Sequence, residues 1–245
     1  MKKSGVLNYA LFIFVFTAAA IFFLFLSTYL KSEKNTSFTS AEINEPLIII
    51  DAGHGGEDGG AVGNNDLYEK DVNLKIAFLM KDMLSSRGYD VLLTRSEDIL
   101  LYDRNVDFKG RKKALDLAAR VKIAQEHENC IFVSIHMNAF PDPKYSGLQV
   151  YYSTNNEESK MLADQIQLLV KETLQPNNNR KTKAAKENIF VLDRITSPAI
   201  LVECGFLSNP EECAALSDAG YLKKLSLIIC EAVEKYMSNT LENQK

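Results

Sequence analysis

The sequence predicts an α/β domain with a mainly parallel, twisted sheet flanked by helices, preceded by an N-terminal transmembrane or signal-anchor helix. Three observations carry this reading. Short β-rich apolar runs alternate with longer runs of helical period from about residue 46 onward, the pattern of βαβ units. The first and third of these runs, Leu-Ile-Ile-Ile at 47–50 and Ile-Phe-Val-Ser-Ile at 131–135, are nearly continuous rather than alternating, as in strands buried on both faces. Residues 4–30 contain no charged side chain and are dense in Phe, Leu, Ile and Val, long enough for the roughly 20 residues that a bilayer core requires.

The chain thus divides into an anchor at 1–34, a polar, aperiodic tether at 35–45 and a folded domain at 46–240. A cleaved signal peptide is the alternative for the first segment, since Ala18-Ala19-Ala20 offers a small-residue site. Either way the domain lies outside the cytoplasm, anchored to the membrane or secreted.

Within the domain, strand 47–50 ends at Asp51-Ala52-Gly53. Asp71 is placed to cap a helix over 72–87, with Leu74, Ala77, Met80 and Leu84 along one stripe and Gly88 as its stop. Residues 91–94 form the next strand, and 111–126 a helix with Leu115, Ala118, Val121 and Gln125 on one side. After the strand at 131–135, residues 148–152 alternate as an edge or flanking strand does. Residues 158–174 then read as a helix ended by Pro176, and 177–186 as a loop. Short strands at 189–192 and 199–202 and helices at 210–216 and 222–237 complete the domain.

Composition excludes several functions. Without the four Lys and one Glu of residues 1–34, the remainder carries 24 basic and 31 acidic side chains, a net −7. That balance opposes nucleic-acid binding, which asks for a basic face. The one dense basic stretch, Arg180, Lys181, Lys183 and Lys186, reads as a solvated loop. Cys130, Cys204, Cys213 and Cys230 have no C-x-x-C spacing and no disulfide framework, although an exported chain permits a bridge. The glycine-rich segment 53–58 has Asp58 where the third glycine of a dinucleotide fingerprint belongs. P-loop, G-x-S-x-G and H-E-x-x-H patterns are absent.

The chemistry gathers at strand ends. Ligands of open α/β sheets bind beyond the carboxyl ends of the strands. There the sequence puts His54 after the first strand, His136 after 131–135 and Glu203 after 199–202. Two of only three histidines fall at such ends, whereas His127 sits in a charged, surface-like stretch. Histidine with carboxylate is the donor set of hydrolytic zinc, which takes three protein ligands and leaves a position open. Glu69, at the end of the glycine-rich loop, is placed to fold back toward His54. Spacing alone leaves open whether Glu69 is a ligand or a helix-start carboxylate, and whether Glu203 is functional or salt-bridged.

Five segments carry a family resemblance: Ile-Asp-Ala-Gly-His-Gly-Gly after Ile49, Tyr-Glu-Lys-Asp at 68–71, Leu-Thr-Arg at 93–95, Ser-Ile-His-Met-Asn-Ala at 134–139 and Leu-Val-Glu-Cys-Gly-Phe-Leu-Ser-Asn at 201–209. Together they make residues 47–236 resemble the zinc-dependent N-acetylmuramoyl-L-alanine amidases of the amidase-3 type. The resemblance implies Zn2+ as cofactor, His54, Glu69 and His136 as its ligands, and Glu203 as the catalytic glutamate. It implies peptidoglycan as substrate. A single catalytic domain behind one anchor, with no wall-binding repeat, is similar to the spore-cortex amidases of endospore formers, which act before muramic δ-lactam forms in germination-competent cortex. An activating partner protein is compatible with that likeness, and Asn138 and Arg95 are placed to orient substrate or brace loops. The rival readings are a non-catalytic peptidoglycan-binding protein and a zinc peptidase or deacetylase acting on another wall bond.

Overall fold

The computed structural model describes residues 17–18, 20–27, 45–103, 105, 109–185 and 189–243. The chain separates into two units, Met1–Asn44 and Glu45–Lys245. In the first unit, residues 17–18 and 20–27 are helical, with Ile21 to Phe25 exposed. Among the described residues no helix is long and apolar enough to cross a membrane. Most of the expected anchor, and the expected tether except for its last residue, lie outside the described residues.

In the second unit six strands form one sheet: β1 (Leu47–Ala52), β2 (Val91–Leu93), β3 (Cys130–Asn138), β4 (Gln149–Tyr152), β5 (Lys183–Ala184) and β6 (Ala199–Phe206), in the order β2-β1-β3-β6-β4-β5. The pairs β1–β2, β1–β3 and β3–β6 are parallel. β4 runs antiparallel to β6 and carries β5 parallel to itself, so the sheet is mixed but mainly parallel, one of its five strand pairs being antiparallel. The helices are α1 (Glu69–Ser86), α2 (Lys112–Gln125), α3 (Glu158–Thr173), α4 (Phe190–Arg194), α5 (Pro210–Ser217) and α6 (Ala219–Asn243).

The central strands are apolar on both faces because both faces are covered. On one side Ile48, Ile50, Val133, Ile135, Ile200 and Val202 pack with α1, α3 and α6; on the other Ile49, Phe132, Ala199 and Leu201 pack with α2 and α4. α1 buries Val72, Ile76, Ala77, Met80 and Leu84, a helical spacing, and Glu69 and Asp71 in its first turn suit the positive end of the helix dipole. α5 starts where Asn209 accepts the backbone N–H groups of Glu211 and Glu212, both at 3.0 Å, with Pro210 in its first turn.

Four expectations change. Helix α1 begins at Glu69, not Val72, so Glu69 stands in the first helical turn and Tyr68 is the cap. Residues 189–192 are not a strand, since Phe190–Arg194 is a short helix. A four-residue apolar run carries no period that separates the two. On α2 the face turned inward carries Asp116, Arg120, Val121 and Ala124, rather than the stripe through Leu115 and Ala118. The predicted loop at 177–186 also contains β5.

Candidate metal centre

The register of the sheet assembles the site. Gly53 follows β1 and donates its N–H to Ile135 O on β3 at 3.1 Å, while His136 pairs with Glu203, and Glu203 in turn with Gln149. Gly53, His136, Glu203 and Gln149 therefore form one row across four chain segments at the carboxyl end of β1, β3 and β6, as expected for this fold class. β3 and β6 run further than the sequence predicts, to Asn138 and Phe206, so His136 and Glu203 lie within strands and not on the loops beyond them.

Glu69 reaches this row from the start of α1. Its Oε1 lies 2.9 Å from His136 Nδ1 and 3.2 Å from His54 Nε2, and accepts the Met137 N–H at 3.0 Å; its Oε2 accepts the Ala61 N–H at 2.7 Å. One ligand atom from each of His54, Glu69 and His136 lies within 4.8 Å of the others. Burial alone would raise the Glu69 carboxyl, but the hydrogen bonds and charges of the two imidazoles hold it well below the usual carboxylate range. It is therefore an anion at any physiological pH.

His54 is positioned by its backbone as well as its ring. Its φ of +61° is a left-handed value that L-residues seldom adopt. Arg120 Nη2 donates to His54 O at 2.7 Å, and the Gly55 N–H to Asp58 O at 2.9 Å. Next to it, Arg120 and Arg95 both donate to Ala52 O, and Arg95 and Asn73 both donate to Gly53 O. Arg95 thus braces the loop from behind. At the ring, Nδ1 is 3.0 Å from Asp58 Oδ2, which leaves Nε2 facing Glu69. Burial lowers the His54 pKa, and the hydrogen bonds and charges of Glu69 and Asp58 reverse that, raising it overall. Gly60, at φ +67°, passes so close that any Cβ there would collide with Glu69 Oε2.

Glu203 stands beside this trio without joining it. Its Oε2 is buried and has no hydrogen-bond partner among the described residues. Burial pushes its carboxyl up to about 7, His136 and His54 opposing and Glu69 adding to the rise. Gly53, His136 and Glu203 of the row line a cleft of about 830 Å³, together with the charged Asp58 and Lys113 and the apolar Leu117, Phe190, Val191 and Leu201. Asn138 also lines it, whereas His127 lines a separate small cavity.

Two imidazoles and a carboxylate around one point, facing an open cleft, fit zinc in a hydrolytic rather than a closed structural setting. The predicted residues His54, Glu69 and His136 are thus brought together, with Glu203 adjacent. Sequence reasoning missed Asp58 and Arg120. The Asp58 signal was a carboxylate four residues after a candidate ligand; Arg120 gave none, because a buried arginine inside a helix looks like a surface one. The four cysteines are all free and buried.

A family model described as N-acetylmuramoyl-L-alanine amidase, amidase-3, matches residues 48–235. The germination-specific N-acetylmuramoyl-L-alanine amidase of Bacillus subtilis is 37% identical over 225 residues, 91% of this chain and 93% of that one. N-acetylmuramoyl-L-alanine amidase AmiA of Escherichia coli is 29% identical over 243 residues, 81% of this chain and 78% of that one. Among solved structures, the CwlD amidase from Clostridioides difficile in complex with the GerS lipoprotein superposes with a TM-score of 0.74 at 38% identity, covering 79% of this chain and 99% of that one.

Proposed function

The chain belongs to the amidase-3 family of N-acetylmuramoyl-L-alanine amidases, and from that premise we propose that it hydrolyses the amide between N-acetylmuramic acid and L-alanine in peptidoglycan, using zinc held by His54, Glu69 and His136 and Glu203 as general base. The observation that supports this most is the unpartnered, buried Glu203 oxygen beside the His54–Glu69–His136 cluster, with Glu203, His54 and His136 all lining one cleft. Zinc at those ligands supplies a Lewis acid that polarises the scissile carbonyl and makes water more acidic.

The chain's own residues do the rest. Glu69, held by two backbone N–H groups, stays anionic and fixed between the imidazoles. Asp58 accepts at His54 Nδ1 and so keeps Nε2 turned inward. Glu203 takes a proton from the attacking water onto its carboxylate as the C–O bond forms, then gives it to the alanine nitrogen as the C–N bond breaks. Burial works to raise the pKa of this carboxyl, which favours its holding the proton between the two steps.

Likeness to the germination-specific amidase and to CwlD supports a place in the spore cortex, before muramic δ-lactam is formed. The domain then works outside the cytoplasm, with the charge-free N-terminal run as its membrane anchor or export signal. A lipoprotein partner, as in the CwlD structure, fits the same reading. The test is digestion of purified peptidoglycan by the purified chain, with and without zinc, read by mass spectrometry. Zinc-dependent release of peptides beginning with L-alanine from otherwise intact glycan is expected. Release of other fragments would replace the amidase by a different wall hydrolase, and a folded chain that takes up no zinc would remove the metal.

A further inference from the structure

The basic loop that the sequence presents as solvated is built around Arg180. Its Nε donates to Ser146 O at 2.7 Å, its Nη1 to Gln149 Oε1 at 3.0 Å, and its guanidinium lies 4.5 Å above the Phe206 ring. The backbone behind it is tied as well: the Arg180 N–H donates to Asn178 Oδ1, and the buried Asn178 amide to Leu148 O. Three restraints thus fix the fork of one half-buried side chain, and its remaining nitrogen, Nη2, makes no hydrogen bond among the described residues.

Arg180 lines a groove of about 540 Å³, separate from the catalytic cleft, together with Lys144, Tyr145, Asn177, Asn179 and Glu212. No carboxylate of the groove pairs with it. Glu212 commits one oxygen to the Gly147 N–H and the other to the Phe206 N–H, both at 2.8 Å; burial raises its pKa, and these two N–H groups and the Arg180 charge offset that only in part. Lys144 is already paired with Asp142 at 2.7 Å. Arg180 makes no salt bridge among the described residues: Glu212 acts on it only through space, and Nη2 is left without a protein acceptor there.

Gln149 joins this groove to the catalytic row: it accepts from Arg180 and is the cross-strand partner of Glu203. Cross-strand neighbours lie about 5 Å apart. An extended peptide advances about 3.3 Å per residue, so an arm leaving the scissile amide at Glu203 reaches Arg180 within about two or three residues. We propose that Arg180 is a specificity-determining residue that binds a free carboxylate on the peptide arm of the substrate. This rests on the amidase reading, which supplies a peptide arm beginning with L-alanine. A rigid guanidinium fork suits a carboxylate over a carboxamide, which lacks the charge.

The experiment compares N-acetylmuramoyl di- and tripeptides that begin with L-alanine and end either in a carboxylate or in a carboxamide. For the wild-type chain, kcat/KM for the better-fitting length is expected to favour the carboxylate by about tenfold or more, mainly through KM. In Arg180→Gln that preference falls to near unity, and Arg180→Lys keeps part of it. Taking the ratio of two substrates on one preparation cancels any loss of folded protein from the broken Ser146 and Gln149 contacts. A wild type without preference, or an Arg180→Gln chain that retains it, overturns the assignment. So does a variant that changes dependence on glycan length instead, which would make the groove a sugar site. A wild type that releases peptide from neither substrate removes the amidase reading and this inference with it.

Discussion

The imidazole of His136 fills the space that a side chain at position 53 would need: a Cβ built on Gly53 collides with Nε2 and Cε1 of that ring. The contact follows from the register, because Gly53 and His136 are neighbours in the row across β1 and β3. Gly53 is therefore required by the ring of the neighbouring strand. In Gly53→Ala the ring can swing away at modest cost to the fold, but only by leaving Glu69. The expected result is a melting temperature within a few degrees of wild type, with zinc affinity reduced by more than the roughly 10–100-fold that loss of an outer-shell partner costs. Chelator competition beside a thermal melt measures both, and near-normal affinity would show that the ring has room the structure does not give it.

Glu203 and the ligands separate by experiment. Glu203 stands outside the His54–Glu69–His136 cluster and its buried Oε2 has no hydrogen-bond partner among the described residues, so Glu203→Gln should bind zinc at full stoichiometry and lose turnover by about 10²–10⁴-fold, the usual contribution of a positioned base. His54→Ala should lose zinc and turnover together. Metal analysis of each variant next to its peptide-release rate distinguishes them, and a Glu203→Gln chain with near-normal activity would take the base role away from Glu203.

How much of this was legible beforehand follows from where each residue stands. His54, His136 and Glu203 could be found because they follow apolar runs that identify themselves as strands, and the carboxyl ends of parallel strands converge by topology. Glu69 could only be suggested, since its role depends on a loop closing from Gly53 to Gly60 that no periodicity reports. β4 looked like an edge or flanking strand, and alternation does not encode direction, so its antiparallel pairing with β6 stayed hidden. Arg120 and Arg180 escaped for one reason: a charged residue in a helix or basic loop is normally solvated, and burial of a charge is decided by distant partners. For Arg120 those partners are Asp51, 69 positions earlier, and the carbonyls of Ala52 and His54.

Asp58 orients His54 by accepting at Nδ1 over 3.0 Å, and is itself held by the Gly60 N–H at 3.3 Å and by Lys113 at 3.3 Å. A ligating imidazole without its second partner rotates and loses basicity, so Asp58→Ala should weaken zinc binding about 10–100-fold while leaving the fold intact. Asp58→Asn retains a neutral acceptor and should fall between Ala and wild type. If all three bind zinc equally, Asp58 is no more than a surface partner for Lys113.

Asp51 and Arg120 set the acid stability of the domain. Asp51 is fully buried on β1; burial alone would raise its pKa, but the Arg120 guanidinium and the hydroxyls of Ser134 and Thr94 more than offset this, holding it below its ordinary value. Arg120 in turn donates through Nε to Asp116 at 2.8 Å, and Asp116 accepts the Leu101 N–H at 2.7 Å. Removing one member of a buried pair leaves the other charge uncompensated, so Asp51→Asn should cost about 3–5 kcal/mol at pH 7. Because the folded pKa lies below the unfolded value of about 3.9, the contribution of Asp51 is complete well above that pH. It is lost as pH falls toward and through the folded value, at up to about 1.4 kcal/mol per pH unit. Other depressed carboxylates such as Glu69 and Asp58 titrate in both proteins, so the informative quantity is the difference between wild type and Asp51→Asn in urea unfolding. That gap should hold from pH 7 to about 5 and narrow below about 4. A gap that stays constant down to pH 3 would mean that the Asp51 charge does not stabilise the fold, and that Arg120 holds the carbonyls of Ala52 and His54 without it.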